Sequence, residues 1–484
     1  MHPLWLLSLA ASLASALQLQ RRDAPAVVGF DIQRGQIDGP DPRDLLKRDD
    51  QTVRQTLINE KSFYFCNVTI GTPGQELSLV IDTGSSDMWC KSADAAMCST
   101  PPNSCNVTGA FDADESSTLS VVSSKFNITY VDGTSASGDY VTDKLRISEA
   151  TVEDFQFAVG HEFSSNVGVL GIGYPSNEVS VLRFGKKPYP NLPKALVREG
   201  WIRSNAYSLW LNDLDASTGS ILFGGVDTEK YYGPLHTLPI EKMHGEYRHF
   251  VVALTGIAFS SDSEQHSYAS NTLPAAVLLD SGSTLTYLPS PIVNSIYRDL
   301  RVVYDPNSGN SFVPCSLADA GFNITYTFSA PTITVGISEL VLNAGDSQFR
   351  DGTPACLFGI VPAGNTMAIL GDTFLRSAYV VFDLESNEVS LANTNFNSLK
   401  SNIVEIGSGP DSVPTATNVE NPVTSVPVGG GGGGNSGPRI GRPTGSVTGL
   451  PSPSSSSDAS LVAVSKTTGY WAWAVGIIWC LLGM

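Results

Sequence analysis

One short pattern occurs twice in this chain, each time at a matching distance from a second pattern. Leu79-Val80-Ile81-Asp82-Thr83-Gly84-Ser85 and Leu278-Leu279-Asp280-Ser281-Gly282-Ser283 share the order apolar-apolar-Asp-[Ser/Thr]-Gly-Ser. Each is followed by an apolar-apolar-Gly triplet, Val169-Leu170-Gly171 and Ile369-Leu370-Gly371; Asp82 and Gly171 are 89 residues apart, Asp280 and Gly371 are 91 apart. A lone Asp-Thr-Gly after an apolar run is an ordinary polar turn. Two copies with equally spaced partners point instead to two related halves that bring their carboxylates together.

The residue types suit that arrangement. An apolar strand delivers each Asp to a tight turn, where Gly84 or Gly282 lets other backbone come close to the carboxylate. Thr83 and Ser281 are placed to lock the two turns to each other, and Ser85 and Ser283 to hold the outer carboxylate oxygens. Gly171 and Gly371 are expected in strands passing beside the turns, where a side chain would collide. Two carboxylates in one site cannot both ionise comfortably and share a proton, so their titration belongs to the pair. The ionised partner can then deprotonate a water that attacks a carbonyl, while the protonated partner donates to the developing oxyanion.

From about Phe63 to Asn395, short β-branched and aromatic runs alternate with Gly, Asn, Asp, Ser and Pro, as in Phe126-Asn127-Ile128-Thr129-Tyr130 and Tyr379-Val380-Val381-Phe382. That pattern predicts a mostly β chain with few helices, around Pro193–Arg198 and Pro291–Leu300. The same span resembles the pepsin family of aspartic proteases. The resemblance rests on Asp82-Thr83-Gly84-Ser85-Ser86 with Trp89, on Asp280-Ser281-Gly282-Ser283, on Leu370-Gly371-Asp372, and on Ser220-Ile221-Leu222-Phe223-Gly224-Gly225-Val226-Asp227. It implies a bilobal pepsin-like fold, two pseudo-twofold-related β-barrel-like lobes with the active-site cleft between them. It further implies an aspartic endopeptidase that hydrolyses polypeptides at acidic pH with Asp82 and Asp280 and no cofactor or metal. By the same resemblance, Tyr130 in Ile128-Thr129-Tyr130-Val131-Asp132-Gly133-Thr134 belongs to a flap hairpin over the substrate, and its hydroxyl bonds the Trp89 indole. Tyr130, Asp132, Gly133 and Trp89 are thus the expected substrate-binding residues.

Two departures from digestive pepsins, a cysteine-bearing loop from Cys90 to Cys105 and an unusual C-terminus, resemble the yapsin-type, GPI-anchored fungal subgroup. That subgroup favours basic residues near the scissile bond, and Asp132 and Asp87 are the candidate acidic subsites. The competing reading is a non-catalytic pepsin-fold protein serving as a cell-wall binding or structural module, since fold does not guarantee function. No His-Glu-x-x-His or Gly-x-Ser-x-Gly occurs, which leaves zinc proteases and serine hydrolases without support.

The ends differ from the middle. Residues 1–16 carry an apolar stretch closing on Ala14-Ser15-Ala16 and read as a signal peptide. Residues 17–48 end on Lys47-Arg48 and read as a pro-segment. The lobes are expected at 49–205 and 206–400. Residues 401–458, rich in Pro, Ser, Thr and Gly and including Gly429 to Gly434, read as a flexible stalk. Residues 459–484 end in fifteen almost wholly apolar residues behind small ones and match a GPI-attachment signal, with Asp458 as the anchor site. The expected destination is the outer face of the plasma membrane or the cell wall, the expected state a monomer tethered to the membrane by lipid.

Of seven Cys, Cys480 lies in the apolar tail, leaving six for an oxidising compartment. Cys315 and Cys356 lie far from the others and are expected to pair. Among the remaining four, three connectivities are open, and Cys66–Cys105 with Cys90–Cys98 is the chosen one. Asn67, Asn106, Asn127 and Asn323 head N-x-[Ser/Thr] triplets and are candidate glycan sites. A formal charge of -18 argues against a nucleic-acid partner, whose phosphates it would repel.

Overall fold

The computed structural model describes residues 26–36, 62–99, 105, 107–130, 132–306, 308–424, 426 and 461–462. Strands dominate among them. The longest helix, Ser290–Leu300, has Pro291 in its first turn, where the missing N–H costs nothing, and ends at Arg301 in the left-handed region (φ 54°). Helix Leu192–Arg198 also starts with a proline, so both helices expected from the sequence are present.

The first half of the chain supplies β1 (Val28–Gln36), β2 (Ser62–Ile70), β3 (Gln75–Asp82), β4 (Met88–Lys91), β5 (Ser120–Thr129), β6 (Ser135–Ile147), β7 (Ala150–Phe163) and β8 (Gly168–Gly171). Their order β2-β3-β8-β4-β7-β6, with β6 returning to β2 through Ile70↔Leu145, closes a barrel. The period of two sets its interior: Phe155, Phe157 and Val159 on β7 point inward with Leu79 and Ile81 of β3.

From the barrel the sheet continues through β1 into β10 (Thr218–Phe223) and β9 (Ala206–Trp210), then strands Ala378–Asp383 and Glu388–Thr394, and β12 (Tyr231–Pro239). Gly224 turns the chain at φ 75° from β10 into β11 (Gly225–Asp227). The other half builds a second sheet in the order β13 (Val251–Leu254), β16 (Ala275–Leu279), strand Ala368–Leu370, β17 (Thr286–Leu288) and strand Ile360–Pro362. Beside it, β14 (Gly256–Ser260) joins β15 (Gln265–Ser267) to strands Asn323–Thr327 and Thr332–Gly336. Each half therefore carries the same device, a parallel pair of a strand that leads to the Asp and a strand that leads to the Gly: β3 with β8, and β16 with Ala368–Leu370.

Three features differ from the sequence reading. First, β1 lies inside the segment 17–48 yet sits between β10 and β2 in the shared sheet, with Val28↔Phe223 and Gln33↔Phe65 in register. Second, the chain beyond Ser401 does not leave the lobe as a stalk at once. Strand Ile403–Glu405 pairs β11, strand Ala416–Asn418 runs parallel to β12, and Val426 is buried. Composition concealed this, because Ile406, Val413, Val419 and Val426 occur singly among polar residues yet each reaches an apolar surface.

Third, the chosen pairing Cys66–Cys105 with Cys90–Cys98 is wrong: the disulfides are Cys98–Cys105 and Cys315–Cys356. Cys66 and Cys90 are buried thiols on β2 and β4, directed into the barrel core, whereas Cys98 and Cys105 belong to a separate apolar cluster under the loop. Strand direction thus keeps each core thiol away from its assigned partner. Asn67 and Asn127 are exposed and Asn323 half-buried, while Asn106 lies outside the described residues. So do the signal peptide, Lys47-Arg48, the glycine run and Asp458.

Candidate active site

β3 ends at Asp82, and β16 stops one residue before Asp280. Both aspartates are held from beneath by the parallel neighbour. Asp82 is in register with Gly171, and the Asp280 amide donates to Leu370 O (3.1 Å), one residue before Gly371. A Cβ on Gly171 would lie 2.7 Å from the Ser86 nitrogen, and one on Gly371 would lie 2.2 Å from Ser283 O. Real Cβ atoms do not come so close, so the spaced glycines are there to let the turns sit on them.

The turns lock reciprocally. Thr83 Oγ1 donates to Leu279 O (3.0 Å) and Ser281 Oγ to Ile81 O (2.9 Å), while each hydroxyl also accepts the other's amide, Ser281 N to Thr83 Oγ1 at 3.0 Å and Thr83 N to Ser281 Oγ at 3.2 Å. Both side chains are buried, so four hydrogen bonds shielded from water tie one half of the molecule to the other.

Above this lock the two carboxyls meet. Gly84 N donates to Asp82 Oδ1 (2.8 Å) and Gly282 N to Asp280 Oδ1 (2.9 Å), and Ser85 and Ser283 donate to the respective Oδ2 atoms. A Cβ on Gly84 would stand 2.5 Å from Asp280 Oδ1, and one on Gly282 would stand 2.6 Å from Asp82 Oδ1. Each aspartate therefore rests over the other's glycine. Burial raises both carboxyls above the ordinary range; for Asp82 the neighbouring Asp280 adds to it, and for both the serine and glycine donors pull back. The pair keeps one proton where separate carboxylates would lose both.

Tyr130 follows β5 at the base of a hairpin whose tip, Gly133, takes φ 85°, a conformation that favours glycine. Trp89 Nε1 donates to the Tyr130 hydroxyl at 2.9 Å, the contact expected from the family. Burial, then the Asp82 charge, raises the Tyr130 phenol. Asp132 is exposed and accepts from Thr134 N (2.9 Å) and Oγ1 (2.6 Å).

Asp87 is not a subsite. It is buried, accepts from the Tyr140 and Tyr189 hydroxyls and the Val179 amide, each at 2.8 Å, and has no face toward substrate. Its position directly after the motif hid this, because the groups that enclose it, Tyr140, Val179 and Tyr189, come from far along the chain.

Several residues around the site have no signature in the sequence. Asn177 Nδ2 lies 3.4 Å from both Gly84 O and His249 Nδ1; burial, then Arg248, brings the imidazole down to about 4. Behind the second turn, buried Arg376 pairs with Glu339. Each comes from a distant element, and only the fold assembles them.

The eukaryotic aspartyl protease family model matches residues 63–394. Over 472 residues the chain is 58% identical to the probable aspartic-type endopeptidase opsB of Aspergillus fumigatus, covering 97% of this chain and 96% of that protein. It is 49% identical over 438 residues to the probable aspartic-type endopeptidase OPSB of Arthroderma benhamiae, covering 88% of each. Aspartic proteinase yapsin-3 of Saccharomyces cerevisiae is 38% identical over 389 residues, 78% of this chain and 74% of that protein. With the paired aspartates and the reciprocal turns already in place, these likenesses show that the chain belongs to the eukaryotic aspartyl protease family.

Proposed function

We propose that this endopeptidase works in acid through a water activated by the Asp82–Asp280 pair. The observation that carries the reading is the crossed packing of each carboxyl on the other's glycine, which keeps two buried acids close enough to share one proton. The ionised member takes a proton from the water as it attacks the peptide carbonyl; the protonated member donates to the oxyanion. Collapse of the tetrahedral intermediate releases the amine, which takes up a proton. A cleavage-site profile between about pH 3 and 7, run on the mature enzyme and on Asp82→Asn, tests this. Asp82→Asn should lose activity by about 10³-fold or more; hydrolysis unchanged by the substitution overturns the mechanism.

The finer reading is of a secreted precursor, cut after Arg48 and tethered by a GPI anchor near Asp458 at the outer face of the plasma membrane or in the cell wall. The 17–48 segment contains β1, and the connection from β1 to β2 passes through Lys47-Arg48; cutting there leaves β1 held by its ladder bonds, by Val28 and Ile32 in the core and by the Arg34 side chain on Leu214 O. Preference for basic residues now rests on Asp132 alone, since Asp87 is enclosed. A profile dominated by Leu or Phe at the scissile bond would remove it, and activity that phosphatidylinositol-specific phospholipase C fails to release from cells would argue against the anchor.

A further inference from the structure

A segment late in the chain packs on the face of β16 that leads to Asp280. Side chains on β16 alternate, so Val277 and Leu279 enter the core while Ala276 and Leu278 face the opposite way, the direction in which Asp280 continues. Ile369, the register partner of Leu278, and Val251 on β13 share that face, and Met243, Met367 and Tyr287 complete an apolar trough. Tyr287 locates the trough: besides burial, the charges that oppose ionisation of its phenol are Asp132 of the flap and Asp280 itself.

Val426 is 8% exposed and packs into this trough, with Val423 beside it. The approach is fixed by named contacts. Strand Ala416–Asn418 pairs β12, Val419 N donates to Thr237 O (3.0 Å), and Val423 N donates to Ser329 Oγ (3.0 Å). The local sequence, Asn421-Pro422-Val423-Thr424-Ser425-Val426-Pro427-Val428, is uncharged; Asn421 turns the chain at φ 51°, and Pro427 biases Val426, which precedes it, to an extended form, as a peptide in a cleft requires. Immediately after it in the sequence come six glycines, Gly429 to Gly434.

We propose that the segment carrying Val423 and Val426 is a tethered occupant of the substrate cleft, filling the apolar trough beside Asp280 and competing in cis with polypeptide substrates. The proposal rests on the protease reading of the Asp pair. A short tether holds such a segment at about millimolar effective concentration, so a weak contact suffices to compete. The competition is reversible and leaves the carboxyls untouched, so it raises KM and spares kcat.

The test uses the full chain, the Val423→Ser/Val426→Ser variant, and a chain ending at Glu420. Both altered forms should show KM lowered about ten-fold for peptides that place an aliphatic side chain in the trough, with kcat within about two-fold. A fluorescent peptide of residues 421–428 should bind the shortened chain and not the full one, by anisotropy, a reading independent of catalysis. An unchanged KM in both forms, or no peptide binding to the shortened chain, overturns the proposal. Peptide binding with no hydrolysis by any form would overturn the protease reading instead and leave the tail in its trough.

Discussion

Replacing Thr83 by Val tests whether the two catalytic turns form one mechanical unit. The change keeps size and branching but removes Oγ1, and with it the bond to Leu279 O and the one received from Ser281 N, both 3.0 Å. Thr83 and Ser281 are each 1% exposed, so water cannot replace what is lost. Each stranded group costs about 1–3 kcal/mol, which gives about 2–6 kcal/mol for the pair. The mirror change, Ser281→Ala, strands Ile81 O and Thr83 N and should cost a similar amount. Because each aspartate rests on the opposite turn, a shift of about 1 Å should also lower kcat on the order of 100-fold. Denaturant unfolding and peptide hydrolysis of the two single variants and the double variant complete a cycle. A coupling of about 0.5–3 kcal/mol is expected for neighbours sharing the turns. Thr83→Val within about 0.5 kcal/mol and two-fold in kcat of the parent would refute the reasoning.

Burial raises Glu178 to about 9, so the native chain keeps a proton there that the unfolded chain loses above its ordinary value of 4.5. Stability therefore falls as pH rises through that window, by about 1.4 kcal/mol per unit. Glu178→Gln should match the parent near pH 4 and exceed it by about 3 kcal/mol at pH 7 in denaturant titrations; a difference that does not grow with pH refutes the assignment. Cys66, pushed up to about 12 by burial, and Cys90 should be silent to a thiol reagent in the native protein and both react on unfolding. Reaction of either in the folded enzyme, or a single thiol after unfolding, would contradict the core placement. Opening Cys98–Cys105, which closes a separation of 7 residues, should cost about 2.5 kcal/mol in the chain-entropy picture.

The candidate site was legible because its parts recur. Asp82, Asp280 and their glycines are each tied to a turn, and turn chemistry is local: a carboxylate two residues before a glycine amide accepts it wherever the chain folds. The spacing to Gly171 and Gly371 recorded two long-range contacts because each glycine is the scar of a close approach. The link between Thr83 and Ser281 was readable from the residues alone, whereas that between Trp89 and Tyr130 needed the family's pattern. Misreadings fell where direction mattered more than neighbourhood. Asp87 is five residues from Asp82 but is enclosed by Tyr140, Tyr189 and Val179, and Cys90 is eight from Cys98 but belongs to another cluster.

By itself the sequence determined the strand-rich class, the duplicated aspartate turns and the reaction those turns support, since these come from periodicity and short-range geometry. Only the tertiary structure decided which thiols are bonded, that Asp87 is enclosed, that β1 completes the shared sheet, and that Val426 reaches the trough beside Asp280. These depend on which faces of distant strands meet, and a one-residue change of register reverses every face without altering composition.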